Sequence, residues 1–133
     1  MNHETYEKHK KIMYRNESYK IQGAIFDVYK VLGSGFLEAV YQECLEKEFA
    51  LRNIPFEKQV EIRLNYKDIL LNQSYRADFV CYNSILIEIK AVAEITDIHR
   101  AQLINYLKAT GMKLGILANF SSYPKVQIER IVL

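Results

Sequence analysis

The sequence predicts one mixed domain, α/β in class (α+β), with the element order ααββββαββ, and three observations carry that expectation. Apolar residues recur at three- and four-residue steps in three stretches. They alternate or cluster over six shorter stretches rich in Val, Ile, Leu and Tyr, and Gly, Asn, Asp or Pro stands at the joints. Helices interleaved with strands in this way call for a mixed central sheet flanked by helices.

Residues 1–16 are polar and mixed in charge without clear periodicity, and read as an N-terminal arm or a frayed helix ahead of a single domain spanning 17–133. From Glu17 to Leu32 the residues Ile21, Ala24, Ile25, Val28 and Leu32 form one stripe, which predicts an amphipathic helix stopped by Gly33. After Gly33-Ser34-Gly35 a second helix is expected over 37–51, on the stripe Leu37, Val40, Tyr41, Cys44 and Leu45, with Asn53 and Pro55 ending it. Gln59 to Tyr66 alternates strictly, with Val60, Ile62 and Leu64 set against polar neighbours, the period of a half-buried strand. Lys67-Asp68 reads as a turn into a short strand over 69–71, and 75–82 and 86–92 read as two more strands about Asn83-Ser84. Thr96 is placed to begin a third helix that Gly111 terminates, and strands over 113–120 and 125–132 follow.

Of the 133 residues half are hydrophobic and 26% are charged, the balance of a globular domain rather than of a disordered chain. The 18 basic residues against 16 acidic ones leave a net charge of +2, far from the signature of a purely electrostatic DNA binder. Cys44 and Cys81 lie in apolar stretches with no CxxC or Cys/His spacing, which speaks against structural zinc, an iron–sulfur cluster or a disulfide framework. No stretch approaches the roughly 18 apolar residues of a membrane span, and the N-terminus lacks the apolar centre of a signal peptide. A cytoplasmic protein with no membrane association is expected.

In the strand 86–92, Glu88 and Lys90 are two apart and share a face, while Ile85, Ile87 and Ile89 point to the other. In the strand before it, Ala77, Phe79 and Cys81 are expected on one face, with Asp78 and Val80 on the opposite one. A two-residue Asn83-Ser84 turn would set Phe79 against Glu88. A three-residue loop instead sets Phe79 opposite Ile89, Cys81 opposite Ile87 and Asp78 opposite Lys90, and the apolar pattern selects this register. Asp78, Glu88 and Lys90 are then expected to cluster. Two carboxylates suit a hard divalent cation such as Mg2+, and a lysine beside them can stabilise charge that develops at a phosphodiester. By spacing alone the same residues also describe an ordinary charged strand face.

Asp78, nine residues, then Glu88-Ile89-Lys90 resembles the core motif of the PD-(D/E)XK nuclease superfamily, with Ala77 in place of the nominal proline. Gly35-Phe36-Leu37-Glu38-Ala39-Val40-Tyr41 matches the GxxExxY motif of a small bacterial family within that superfamily. Gln102-Leu103-Ile104-Asn105-Tyr106 resembles the QxxxY motif of its RecB-like branch. The three motifs stand in the family's order across 17–133.

The resemblance implies Asp78 and Glu88 as metal ligands, the Ile89 carbonyl as a third oxygen and Glu38 as an additional acid near the metal, with Lys90 orienting the attacking water. Gln102 and Tyr106, four apart on one helix face, are implied near the active site. The implied activity is that of a Mg2+- or Mn2+-dependent nuclease, acting on nucleic acid and expectedly DNA through Glu38, Asp78, Glu88, Lys90, Gln102 and Tyr106. The alternative is a non-catalytic module on the same fold that binds nucleic acid or a protein. Specificity is expected from a homodimer or a protein partner, because 133 residues leave little room for a recognition domain. Tyr41 reads as a packing residue with a polar tip, and His99 as a surface histidine.

Overall fold

One sheet presents an apolar face to each side, and the helices divide between those faces. In the computed structural model, which describes residues 3–133 with side chains from Tyr14 onward, the elements are α1 (His3–Leu32), α2 (Glu38–Leu51), β1 (Phe56–Tyr66), β2 (Ile69–Cys81), β3 (Ile85–Lys90), α3 (Asp97–Thr110), β4 (Leu114–Asn119) and β5 (Gln127–Val132). The strands lie in the order β1-β2-β3-β4-β5, antiparallel except for β3 and β4, which run parallel across the α3 connection. The mixed sheet flanked by helices agrees with the fold class expected.

On one face Ile85, Ile87 and Ile89 of β3 and Leu114, Ile116 and Ala118 of β4 pack with α1 and α2 through Ile21, Ile25, Tyr41, Leu45 and Phe49. On the other, Ile62, Ala77, Leu86 and Leu117 pack beneath Leu103, Tyr106 and Leu107 of α3. β3 is covered on both sides, which suits its nearly continuous apolar run and makes Glu88 conspicuous within it. α3 ends at Gly111, which takes the left-handed conformation with φ of 77°.

The structure corrects several expectations. The order is ααβββαββ, since 69–71 and 75–81 belong to one strand, β2. Arg63 pairs with Ser74 and Asn65 with Leu70, so the polar Asn72-Gln73 segment is taken up as a bulge rather than as a loop between two strands. The Lys67-Asp68 turn is present, with both residues at positive φ as a tight hairpin turn requires. α1 begins at His3 instead of Glu17, so the stretch read as an arm or a frayed helix continues the helix. Its Glu and Lys residues favour helix without an apolar stripe. Met1 and Asn2 lie outside the described residues.

The register of β2 on β3 also differs. Phe79 pairs with Ile87, Val80 with Leu86 and Cys81 with Ile85, two residues away from the expected pairing of Phe79 with Ile89. The loop is Tyr82-Asn83-Ser84, with Tyr82 and Asn83 at positive φ, and Ile85 joins the sheet to pair with Leu114. Nor does Ala77 share a face with Phe79 and Cys81. It packs under α3, while they pack against α1 and α2.

Candidate functional site

The site begins where β2 leaves β3. Their ladder runs only from Cys81/Ile85 to Phe79/Ile87, and beyond it the Ile89 N–H donates to Asp78 Oδ2 at 2.7 Å. The N–H and C=O of one strand residue point to the same side, so the Ile89 carbonyl also faces the side of Asp78. Across β2, on β1, Gln59 takes a positive φ. It sits at φ of 50° between the pairs Lys58/Phe79 and Val60/Ala77, level with Asp78, on either side of which Phe79 and Ala77 pack to opposite faces. Asp78 therefore stands opposite the Ile89 N–H and not opposite Lys90 as expected.

Glu88 is 2% exposed. Its Oε2 accepts a hydrogen bond from the Tyr75 hydroxyl at 3.4 Å, and its Oε1 is buried without a partner. Burial, reinforced by the charge of Asp78 and opposed by Lys90, pushes the Glu88 carboxyl up to about 8. Burial also raises Asp78, against the Ile89 N–H and Lys90, which favour its charged form. The charge of Asp78 thus favours the protonated form of Glu88.

Glu38 is the first residue of α2 and joins the same field. Partial burial and Asp78 raise its carboxyl, with Lys90 opposing. The motif around it has a local physical reason. Gly35 takes φ of 110°, open to glycine, and Tyr41 fixes the entry by donating to the Gly33 carbonyl at 2.6 Å and accepting from the Phe36 N–H at 3.2 Å. The Tyr41 ring is buried and stacks on Phe120 at 4.5 Å, as befits a packing residue with a polar tip. Gln42, one turn after Glu38, donates to the Asp78 carbonyl at 3.2 Å and ties α2 to the split.

Lys90 is half-buried at the end of β3, beside Asn119 in the parallel register. Asn119 is fully buried. Its Oδ1 accepts from the Val92 N–H at 3.1 Å and the Ser121 N–H at 3.3 Å, and its Nδ2 donates to the Val92 carbonyl at 2.9 Å. The chain leaving Lys90 is thereby held at both backbone groups of one residue.

Of the two α3 residues, Tyr106 is buried and stacks on Tyr75 with ring centroids 3.9 Å apart, which brings it within one residue of Glu88. Gln102 is exposed, and among the described residues it makes no hydrogen bond to the carboxylates. His99 accepts the Thr96 N–H at 3.0 Å through Nδ1 and so caps the start of α3. The structure thus brings together Glu38, Asp78, Glu88, Lys90 and Tyr106 and leaves Gln102 at the rim. Sequence reasoning missed Tyr75, Gln42, Gln59 and Asn119. Only Gln42 carried a signal, its four-residue spacing from Glu38.

The donor set is one of hard oxygens, and the partnerless Glu88 Oε1 beside Asp78 fits a divalent cation. Among the described residues no group of three or more His, Cys, Asp or Glu side chains is drawn tight enough to hold an ion unaided. Two carboxylates with the Ile89 carbonyl make the set that fits, with Glu38 further out.

An acidic pair with a lysine thus stands where a hairpin splits beside a parallel crossover in a mixed α/β domain. Residues 15–131 match the family model of the PD-(D/E)XK nuclease superfamily, and the chain belongs to that superfamily. It is also similar to a solved structure described as the crystal structure of SSO0001, with a TM-score of 0.57 and 25% identity over 92% of this chain. The match spans 61% of that protein, less than two thirds of its length. No curated protein matches the chain. Among the described residues no helix is long and apolar enough to cross a membrane.

Proposed function

We propose that this chain is a metal-dependent nuclease, a GxxExxY-type member of the RecB-like branch, that hydrolyses phosphodiester bonds in nucleic acid, with DNA as the substrate. The observation that carries the reading is the buried, partnerless Oε1 of Glu88 beside Asp78 and Lys90. A buried carboxylate oxygen without a donor is costly unless a proton or a cation compensates it.

In this reading Asp78, Glu88 and the Ile89 carbonyl hold Mg2+ or Mn2+, and Glu38 adds negative charge nearby. The cation, when bound, supplies positive charge to the scissile phosphate and lowers the pKa of a water. Lys90 would orient a water for attack on phosphorus and would offset charge as the P–O bond to the leaving group breaks. Tyr106 and Gln102, one turn apart on α3, stand beside the site and at its rim. They support the RecB-like assignment through their spacing and through the contact of Tyr106 with Tyr75.

The test is cleavage of supercoiled plasmid and of end-labelled single-stranded DNA and RNA, with Mg2+, Mn2+ or EDTA. We expect cutting of DNA with either metal, none with EDTA, and a loss of at least about 100-fold in Asp78→Asn and Lys90→Ala. Absence of cleavage of all substrates by the wild type would overturn the nuclease reading, and retained DNA binding would then favour a non-catalytic module.

A further inference from the structure

We infer that Tyr75 is the positioning residue of the metal-binding carboxylate, its hydroxyl holding Glu88 Oε2 so that Oε1 alone is presented to the cation; this rests on the metal-dependent reading above. Tyr75 lies outside all three sequence motifs, yet it is the side chain that donates to Glu88 among the described residues. It reaches Glu88 from β2, on the α3 side of the sheet.

Three observations support the assignment. The two oxygens of Glu88 are unequal, one engaged by a hydroxyl and the other buried and free. A carboxylate with neither oxygen engaged can turn about its terminal torsion, which is broad and two-fold. One donor on one oxygen, here at 3.4 Å, favours one orientation of the plane and therefore one direction of the other oxygen. Secondly, the Tyr75 ring is itself fixed, since it stacks on Tyr106 at 3.9 Å with an interplanar angle of 18°. Thirdly, Tyr106 is anchored on α3 within the cluster formed by Leu86, Leu103 and Leu117. The position of α3 thus reaches Glu88 through two stacked rings and one hydroxyl. This also gives Tyr106 a role that needs no contact with substrate, namely to serve as the platform for Tyr75.

The experiment compares wild type with Tyr75→Phe, which keeps the ring on Tyr106 and removes only the donor. Mn2+ binding is measured by calorimetry without substrate, and cleavage is measured as a function of Mn2+ concentration. Tyr75→Phe should bind Mn2+ about 10-fold or more weakly, and its half-saturating Mn2+ for cleavage should rise by the same factor. Its rate at saturating Mn2+ should return to within about 3-fold of wild type, a split that a merely structural role would not produce. Tyr106→Leu, which removes the platform and leaves the hydroxyl, is a second variant and should weaken Mn2+ binding in the same direction. Thermal unfolding of the metal-free variants establishes that each is folded.

Equal Mn2+ affinity in wild type and Tyr75→Phe would overturn the inference and leave the nuclease reading standing. So would a rate deficit that excess Mn2+ does not restore. Wild type that binds no Mn2+ would overturn both, and is recognised before any variant is compared.

Discussion

Asp78 takes the place of a neighbouring strand for Ile89: its Oδ2 accepts the Ile89 N–H at 2.7 Å where the β2/β3 ladder has ended two residues earlier, at Ile87. A backbone donor exposed by parting strands would ordinarily need water or another strand. Satisfying it with a carboxylate keeps β2 and β3 apart at this point without cost, and it places that carboxylate beside Glu88. The split that would weaken an ordinary sheet is here the element that assembles the site.

The Glu88 carboxyl should make the metal-free protein less stable as pH rises. Its folded value lies near 8 against an ordinary 4.5, so between those limits the native state holds a proton that the unfolded chain has released. Stability then falls through this window and levels off above it. Glu88→Gln removes the penalty, and its melting temperature should exceed that of wild type at pH 8.5 while matching it at pH 4.5. A difference independent of pH would refute the account. Because a cation must displace the same proton, Mn2+ affinity should rise with pH up to about 8.

Removing the Asn119 amide should cost about 3 kcal/mol, since it leaves the N–H and C=O of Val92 without their partners beneath a buried site. Urea unfolding of Asn119→Ala measures this. Cleavage should fall as well, because the Lys90 carbonyl is bound to the Phe120 N–H at 2.9 Å and shares the same segment. A stability loss below about 0.5 kcal/mol would mean that water replaces the amide.

Gly115 lies under α3 and has no space for a side chain. A Cβ there would come within 2.8 Å of Leu103 Cδ1 and Cδ2, and Leu103 is fully buried. Gly115→Ala should cost about 1–3 kcal/mol through overpacking. Combined with Leu103→Ala the two losses should be less than additive, which a double-mutant cycle by denaturant unfolding reads directly. Additive losses would show that Leu103 is not what the methyl meets.

Much of this arrangement is legible in the sequence because it depends on local periods and caps. The stripe from Ile21 to Leu32 and the stop at Gly33 follow from the helical repeat, and Gly111 with Thr96 marks the ends of α3. The alternation of β3, with Ile85, Ile87 and Ile89 on one side and Leu86 and Glu88 on the other, is a property of any strand. The spacing of Glu38 from Gly35 and Tyr41 likewise reflects one turn of chain, fixed by a positive φ and a hydroxyl.

What the sequence by itself determined is therefore the element types and the faces of β3. The register of β2 was decided only by the tertiary structure. Side chains repeat every two residues along a strand, so pairing Phe79 with Ile87 or with Ile89 satisfies the same apolar pattern, and the choice falls to Ile85, which the sheet draws into pairing with Leu114. The irregularity at Gln59, the crossing of Ala77 to the α3 face and the stacking of Tyr75 on Tyr106 belong to the same class. Each joins residues distant in the chain, and no local period records which of them will meet.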